Sequence, residues 1–263
     1  KSKDGSLWIG TGNAGVYIYN PNAPVIKNLM PTLNSLSDIR LKSIRSVTSF
    51  NKDDIWIGSD DGLIRLDKKG NIKKILKQKF KGDIYKGGIS AVVRQDAHNF
   101  WFGSRGGGLT LVDGKTYDYE RVTFYPAKKN NIQTLVYDKK KLWIGTHGRG
   151  IGRFNIESRK VEKWYDNAET KTIHHLLAYR DNLFAATSRG LLKYDELEDE
   201  FIKIYINNDS SVNTRNIYHI EPFKGNDIWL STSSGLYLLN LSSNKSIDFS
   251  GKPYFSSSNI YFT

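Results

Sequence analysis

The chain repeats itself every 41 to 48 residues, and no other feature restricts its fold as much. Trp8-Ile9-Gly10-Thr11 returns as Trp56-Ile57-Gly58-Ser59, Trp101-Phe102-Gly103-Ser104, Trp143-Ile144-Gly145-Thr146, Phe184-Ala185-Ala186-Thr187 and Trp229-Leu230-Ser231-Thr232. A glycine follows each aromatic by six or seven residues, at Gly15, Gly62, Gly108, Gly150, Gly190 and Gly235. Five residues later stands Asn20, Asp67, Asp113, Asn155, Asp195 or Asn240, an interval that never varies. An isoleucine precedes the aromatic by 11 or 12 residues in five of the copies, at Ile44, Ile89, Ile132, Ile173 and Ile217.

The pieces between these anchors read as strands. Ile44 to Phe50, Ile55 to Gly58 and Leu63 to Asp67 are short, rich in aliphatic and aromatic residues, and bounded by Gly, Asp, Asn and Lys. A fourth, more polar stretch follows each Asn or Asp, as in Glu120 to Tyr125, Val161 to Tyr165 and Phe201 to Tyr205. Four short strands per period make one propeller blade. Glycine opening the third strand fits a hairpin with positive φ, and Asn or Asp closing it fits the next turn. The small residue after the Trp-Ile pair lets neighbouring sheets approach.

The expectation is therefore an all-β protein, a β-propeller of about six four-stranded blades in one domain, 1–263. Its repeats fall near 1–43, 44–88, 89–131, 132–172, 173–216 and 217–258. Asn259 to Thr263 reads as a closing strand, because Ile260 to Trp8 spans the same 11 residues when counted across the termini. Such pairing into the first blade removes free edges; the alternative is a fragment of a seven-bladed ring.

Composition narrows the chemistry. There is no cysteine among the 263 residues, which excludes disulfides, thiol catalysis and Cys-based metal sites. No apolar run approaches 18 residues, so a membrane-spanning helix is not expected. The start at Lys1, without Met or an apolar leader, reads as a processed or excised chain. The formal net charge of +12 suits an anionic partner or serves solubility.

The pattern Leu-Trp-Ile-Gly-Thr, then Gly, then Asp or Asn, resembles the two-component regulator propeller repeat. The best copies are Lys3-Asp4-Gly5-Ser6-Leu7-Trp8-Ile9-Gly10-Thr11 and Lys141-Leu142-Trp143-Ile144-Gly145-Thr146, and the resemblance runs through nearly the whole chain. It implies a periplasmic sensor region, often of two seven-bladed propellers and a β-sandwich, ahead of a membrane helix and a histidine kinase or hybrid kinase. Many such proteins are implicated in sensing polysaccharide breakdown products. This chain departs in showing about six blades, in carrying no kinase, membrane or sandwich segment, and in Phe184-Ala185-Ala186.

Catalytic patterns are weak. Gly10-Thr11-Gly12-Asn13-Ala14-Gly15 matches a dinucleotide glycine fingerprint but leads into a strand, not a helix. Gly108 through Thr116 misses a phosphate loop by one residue and spans a strand. His174 and His175 adjoin on a strand and are expected on opposite faces, which disfavours joint metal chelation; no metal or cofactor is expected.

The turns between second and third strands vary while the scaffold does not, which is where a repeat protein binds. They carry Asn13, Asp60, Arg105, His147, Arg149 and Arg189, the candidate ligand-binding residues. Guanidinium forks suit carboxylate or sulfate. The reading is a non-catalytic, ligand-sensing propeller for an oligosaccharide or other small anionic ligand. A protein-interaction scaffold is the first alternative, and a lyase or lactonase the second. Expected partners include a further propeller or sandwich domain of the same protein and a second copy of the chain, with no nucleic acid and no membrane contact. The eight lysines from Lys68 to Lys86 read as a guarded outer strand. Tyr125, Tyr165 and Tyr205 recur in register and read as outer-strand packing.

Overall fold

The computed structural model describes residues 7–11, 15–20, 23–28, 43–51, 54–60, 62–77, 88–122, 131–207, 212–213 and 215–249. Asn13 and the closing strand expected at 259–263 lie outside the described residues, as does Tyr125.

Every repeat folds as an antiparallel meander. The first sheet holds β1 (Leu7–Thr11), β2 (Gly15–Asn20) and β3 (Ala23–Asn28). The second runs β4 (Ile44–Asn51), β5 (Asp54–Ser59), β6 (Gly62–Leu66) and β7 (Ile72–Lys77), and the third β8 (Ile89–Arg94), β9 (Asn99–Ser104), β10 (Gly108–Asp113) and β11 (Tyr119–Val122). The fourth is β12 (Ile132–Asp138), β13 (Lys141–Thr146), β14 (Ile151–Asn155) and β15 (Lys160–Tyr165). The fifth is β16 (Ile173–Tyr179), β17 (Asn182–Thr187), β18 (Gly190–Asp195) and β19 (Glu200–Lys203), and the sixth β20 (Ile217–Pro222), β21 (Asp227–Thr232), β22 (Gly235–Asn240) and β23 (Lys245–Asp248). The described residues thus give one three-stranded and five four-stranded sheets, without an α-helix. Contacts divide the chain into two compact units, Lys1–Leu135 with Thr263, and Val136–Phe262.

The repeated residues do the work assigned to them. Gly190 turns with φ +116, where a Cβ would fall 2.4 Å from the Asn213 carbonyl oxygen. The Asn or Asp that closes the third strand of the second to sixth sheets caps the following turn: Asp195 Oδ1 accepts from the amides of Leu197 and Glu198, and Asn240 Oδ1 from those of Ser242 and Ser243.

In the first unit, Trp56 is fully buried, with Phe100 and Phe102 of the third sheet at 4.9 and 5.7 Å. Replacing such a ring with Ala costs about 3–5 kcal/mol. A Cβ on Gly103 would stand 2.3 Å from Ile132 Cγ2, which explains the small residue after Trp-Phe. In the second unit Trp143 packs on Tyr194 at 4.9 Å, and Phe184 enters the next core with Ile220, Tyr237 and Leu239. Phe184-Ala185-Ala186 is therefore a conservative exchange: all three side chains are buried.

Charged clamps cross between sheets outside these cores. Arg65 on β6 grips Asp54 at 2.6 Å and reaches the third sheet through the Gly114 carbonyl at 2.6 Å and the Tyr117 hydroxyl at 3.1 Å. Arg153 on β14 donates to Asp199 of the fifth sheet at 2.6 Å, and Lys163, Tyr165 and Tyr194 donate to the same carboxylate at 3.0, 2.6 and 2.5 Å. Burial opposes the charged form of Asp199, yet these four donors hold its carboxyl well below the usual range. Burial, then the bond to Asp199, pushes the Tyr165 hydroxyl up.

One packing expectation fails. Tyr165 is buried in register, but β19 ends at Lys203, and Tyr205 lies beyond it with 63% of its surface exposed. The chain leaves the sheet there after a bond from the Ile204 amide to the Leu191 carbonyl, so among the described residues no neighbouring strand covers Tyr205.

Candidate functional site

The innermost strands share a β-bulge just after the isoleucine that opens them. Register shifts fall between Ile44 and Ser46, Ile89 and Ala91, Ile173 and His175, and Ile217 and His219. The extra residue sits where the inner strand begins, beside the turn between second and third strands. Backbone bonds tie the two together: Arg105 N to Gly88 O at 3.1 Å, Gly148 N to Lys171 O at 2.9 Å, and Ser233 N to Asn216 O at 2.9 Å.

In the first unit this arrangement gathers Asp60, Arg105 and Arg45, the bulge residue of β4. Arg45 holds Asp60 through Nε at 2.7 Å and Nη2 at 2.9 Å. Hydrogen bonding to Arg45 lowers the Asp60 carboxyl and raises Arg45 in turn. Asp60, a candidate ligand-binding residue, has its carboxylate engaged by the Arg45 guanidinium. Arg105 is pulled down by burial and by the neighbouring Arg45 charge, and its Nη2 donates to Gln133 Oε1 at 3.2 Å. Gln133 donates onward to Asn131 Oδ1 at 3.0 Å. Two cations thus lie near one carboxylate, and among the described residues the side-chain hydrogen bond of Arg105 goes to a neutral amide.

In the second unit Arg149 lies over the Trp164 ring, its guanidinium carbon 4.0 Å from the centroid, and burial lowers its affinity for a proton while Asp166 opposes the change. Gly152 makes room for that indole: a Cβ there would fall 2.9 Å from its edge. Beside Arg149, Gly148 (φ +101) faces open space, with nothing within 4 Å of a built Cβ. His147 is exposed and bridges to Thr172, and burial, with a smaller contribution from the neighbouring His147, lowers the His174 imidazole below its ordinary value. Arg189 is exposed, and its backbone amide donates to Thr187 Oγ1 at 2.9 Å.

His174 and His175 do not divide between two faces as strict alternation requires. His174 meets Tyr218 at 5.5 Å and His175 stacks on His219 at 3.9 Å, so both rings meet the sixth sheet; the bulge at this point breaks the period of two. Sequence reasoning missed Arg45, Gln133 and Tyr218, and weighed His174 only as a metal ligand. The signal was present, since the residue after the opening isoleucine is Arg, Ser, Gln, His or Tyr while the isoleucine never changes. Among the described residues no group of three His, Asp or Glu is placed to hold a metal ion.

Sheets of this kind, repeated in sequence order, define a β-propeller fold. The β-propeller domain of Myceliophteria thermophila Cps50 (Swd1) superimposes with a TM-score of 0.70 at 15% identity, covering 94% of this chain and 83% of that one. Two crystal structures of the extracellular domain of BT4673 from B. thetaiotaomicron also match. One, described as a putative hybrid two component system, gives a TM-score of 0.63 at 20% identity over 77% of this chain. The other, described as a putative one component system, gives 0.71 at 17% identity over 94%. In sequence the chain is 25% identical over 261 residues to Histidine kinase P4 of Formosa agariphila, covering 91% of this chain. It spans 18% of that kinase, and 27% and 35% of the two BT4673 chains. No known family model matches the sequence. No helix among the described residues is long and apolar enough to cross a membrane.

Proposed function

We propose that this chain is a non-catalytic, ligand-sensing propeller, part of the extracytoplasmic, periplasmic region of a two-component signalling protein. The observation that carries the reading is the match of 91% of the chain to 18% of a histidine kinase, the relation of a sensor segment to a longer signalling protein. The extracellular domain of BT4673 supports it from the side of the fold.

The proposed ligand is an acidic oligosaccharide, bound at the end of the sheets where the variable turns meet the bulged inner strands. Arg149 on Trp164 offers a charge and an aromatic face beside an open glycine. Arg105, hydrogen-bonded to the neutral Gln133 amide, offers a second guanidinium in its own unit. A guanidinium fork binds a carboxylate or sulfate in two parallel bonds.

Calorimetric titration with uronic-acid-containing, sulfated and neutral oligosaccharides tests this. At least one acidic oligosaccharide should bind, and Arg149→Ala should weaken it about tenfold, the loss of one charge-assisted contact worth about 1.4 kcal/mol. If no oligosaccharide binds, or if Arg149→Ala together with Arg105→Ala changes nothing, the ligand assignment is wrong.

A further inference from the structure

The junction between fourth and fifth sheets and the junction between fifth and sixth are two copies of one arrangement, and the second copy has kept its cations while losing its acids. In the first, Lys139 Nζ lies 2.6 Å from Glu196, Arg153 Nη1 2.6 Å from Asp199, and Lys163 Nζ 3.0 Å from Asp199. Counting from the repeat anchors, the same positions one sheet later hold Arg180, Lys193 and Lys203. Their expected acidic partners are gone: Leu241 stands for Glu196 and Asn244 for Asp199. Two more carboxylates of the first cavity, Asp138 and Asp181, become Tyr179 and Asn226. Asn244 keeps the backbone of Asp199, with φ 53° against 52°, so the turn is the same and only the charge is missing.

The result is a cavity of about 610 Å³ in the second unit, with the three cations and an apolar side formed by Phe184, Ile202 and Leu241. Among the described residues no carboxylate lines it, whereas four line the 490 Å³ cavity of the preceding junction. Lys203 turns to Glu169 at 3.1 Å. The Arg180 guanidinium bonds the neutral Oδ1 of Asn226. Lys193, half-buried and paired across the sheet with Ile202, has no counter-ion among the described residues. Positive charge held over apolar surface without a partner is costly, and an anion brought in from solution relieves that cost.

We infer that this groove binds a small carboxylic acid, whose carboxylate lies beside Asn244 and supplies the charge that Asp199 carries one sheet earlier, and whose apolar part lies along Ile202 and Leu241. The groove opens near Arg180 and Asn182, at the opposite end of β17 from the turn that carries Arg189. It is therefore separate from the oligosaccharide site and does not depend on that reading.

The test is methyl-resolved NMR and calorimetry on the 263-residue chain with acetate, succinate, citrate and glucuronate, glucose serving as the uncharged control. At least one acid should shift the Ile202 and Ile204 methyls saturably at 1:1 stoichiometry, and glucose should not. Lys193→Met should weaken that binding at least tenfold. Asn244→Asp restores the internal carboxylate, so it should also weaken binding at least tenfold while raising the thermal midpoint of the free protein. Should Lys193→Met fail to fold, Asn244→Asp decides alone. Absence of a saturable shift with all four acids, or binding that survives Asn244→Asp, overturns the inference. Tighter binding of a capped di-glutamate peptide than of any free acid overturns the small-molecule assignment.

Discussion

Replacing Asp199 with Asn probes the charged clamp between the fourth and fifth sheets without changing its shape. The carboxylate accepts from Arg153, Lys163, Tyr165 and Tyr194, all within 3.0 Å. If all four were buried, the loss would approach the 3–5 kcal/mol typical of a broken buried pair. The Asp199 and Lys163 side chains are 38% and 39% exposed, so water screens that ion pair to roughly 0–1 kcal/mol. Arg153 is 15% exposed and, among the described residues, would keep Glu162 at 3.1 Å as its one acidic partner. The expected cost is therefore about 2 kcal/mol at pH 7, or about 4–8 °C in thermal midpoint for a domain of this size. Because the folded state holds Asp199 below its unfolded value of about 3.9, its contribution is present above that pH and fades as pH falls through the folded value. Urea titrations of the wild type and Asp199→Asn at pH 7 and at pH 2.5 measure both, and the two curves should draw together in acid. A difference below about 0.5 kcal/mol at pH 7 would refute the clamp as a source of stability. So would an Arg153→Met/Asp199→Asn double variant whose cost equals the sum of the single ones.

Two glycines of one turn separate backbone strain from collision. Gly150→Ala places a Cβ 2.0 Å from the Tyr165 carbonyl oxygen and should cost about 3 kcal/mol or more, whereas Gly148→Ala meets open space and should cost only the strain of positive φ, about 1–2 kcal/mol; denaturant midpoints distinguish the two. The stacked His175 and His219 give a pH dependence of opposite origin to that of Asp199. Burial, then the charge of His219, keeps His175 neutral well below the usual pKa, so stability should fall as pH drops below about 6.5, where the unfolded chain takes up a proton the folded one refuses. His175→Asn should flatten the slope of midpoint against pH between 7.5 and 5, and an unchanged slope would locate the dependence elsewhere.

The sheets were legible because the residues that build them are tied to their own copy. Gly190 answers to one φ angle, Asp195 to the two amides that follow it, and Trp56 to the ring of the next repeat at a fixed offset. The inner-strand site was less legible. A period of two assigns Arg45 and His174 to a face, and the bulge at each of them adds a residue that alternation cannot foresee. The clamps were hidden for another reason. Arg153 and Asp199 stand 46 residues apart, in different repeats, and neither belongs to the invariant set that defines the period. Averaging over copies removes such pairs, since Arg65 solves the same problem with a carbonyl and a tyrosine hydroxyl.

That distinction changes what the surplus of positive charge means. Lys68, Lys69, Lys73 and Lys74 stand exposed on and beside the outer strand β7, where water carries most of their cost and their number says little about a partner. Lys193 and Arg180 add less to the total and more to the chemistry, because the preceding copy shows what such cations do when acids are present. Comparison between repeats acts as an internal mutation experiment: the same fold, with Asp199 and Glu196 in one junction and Asn244 and Leu241 in the next. Where the cations persist after their acids are lost, their retention calls for an anion from outside. The net charge of +12 points nowhere by itself, but the column in which the balance fails points to one groove.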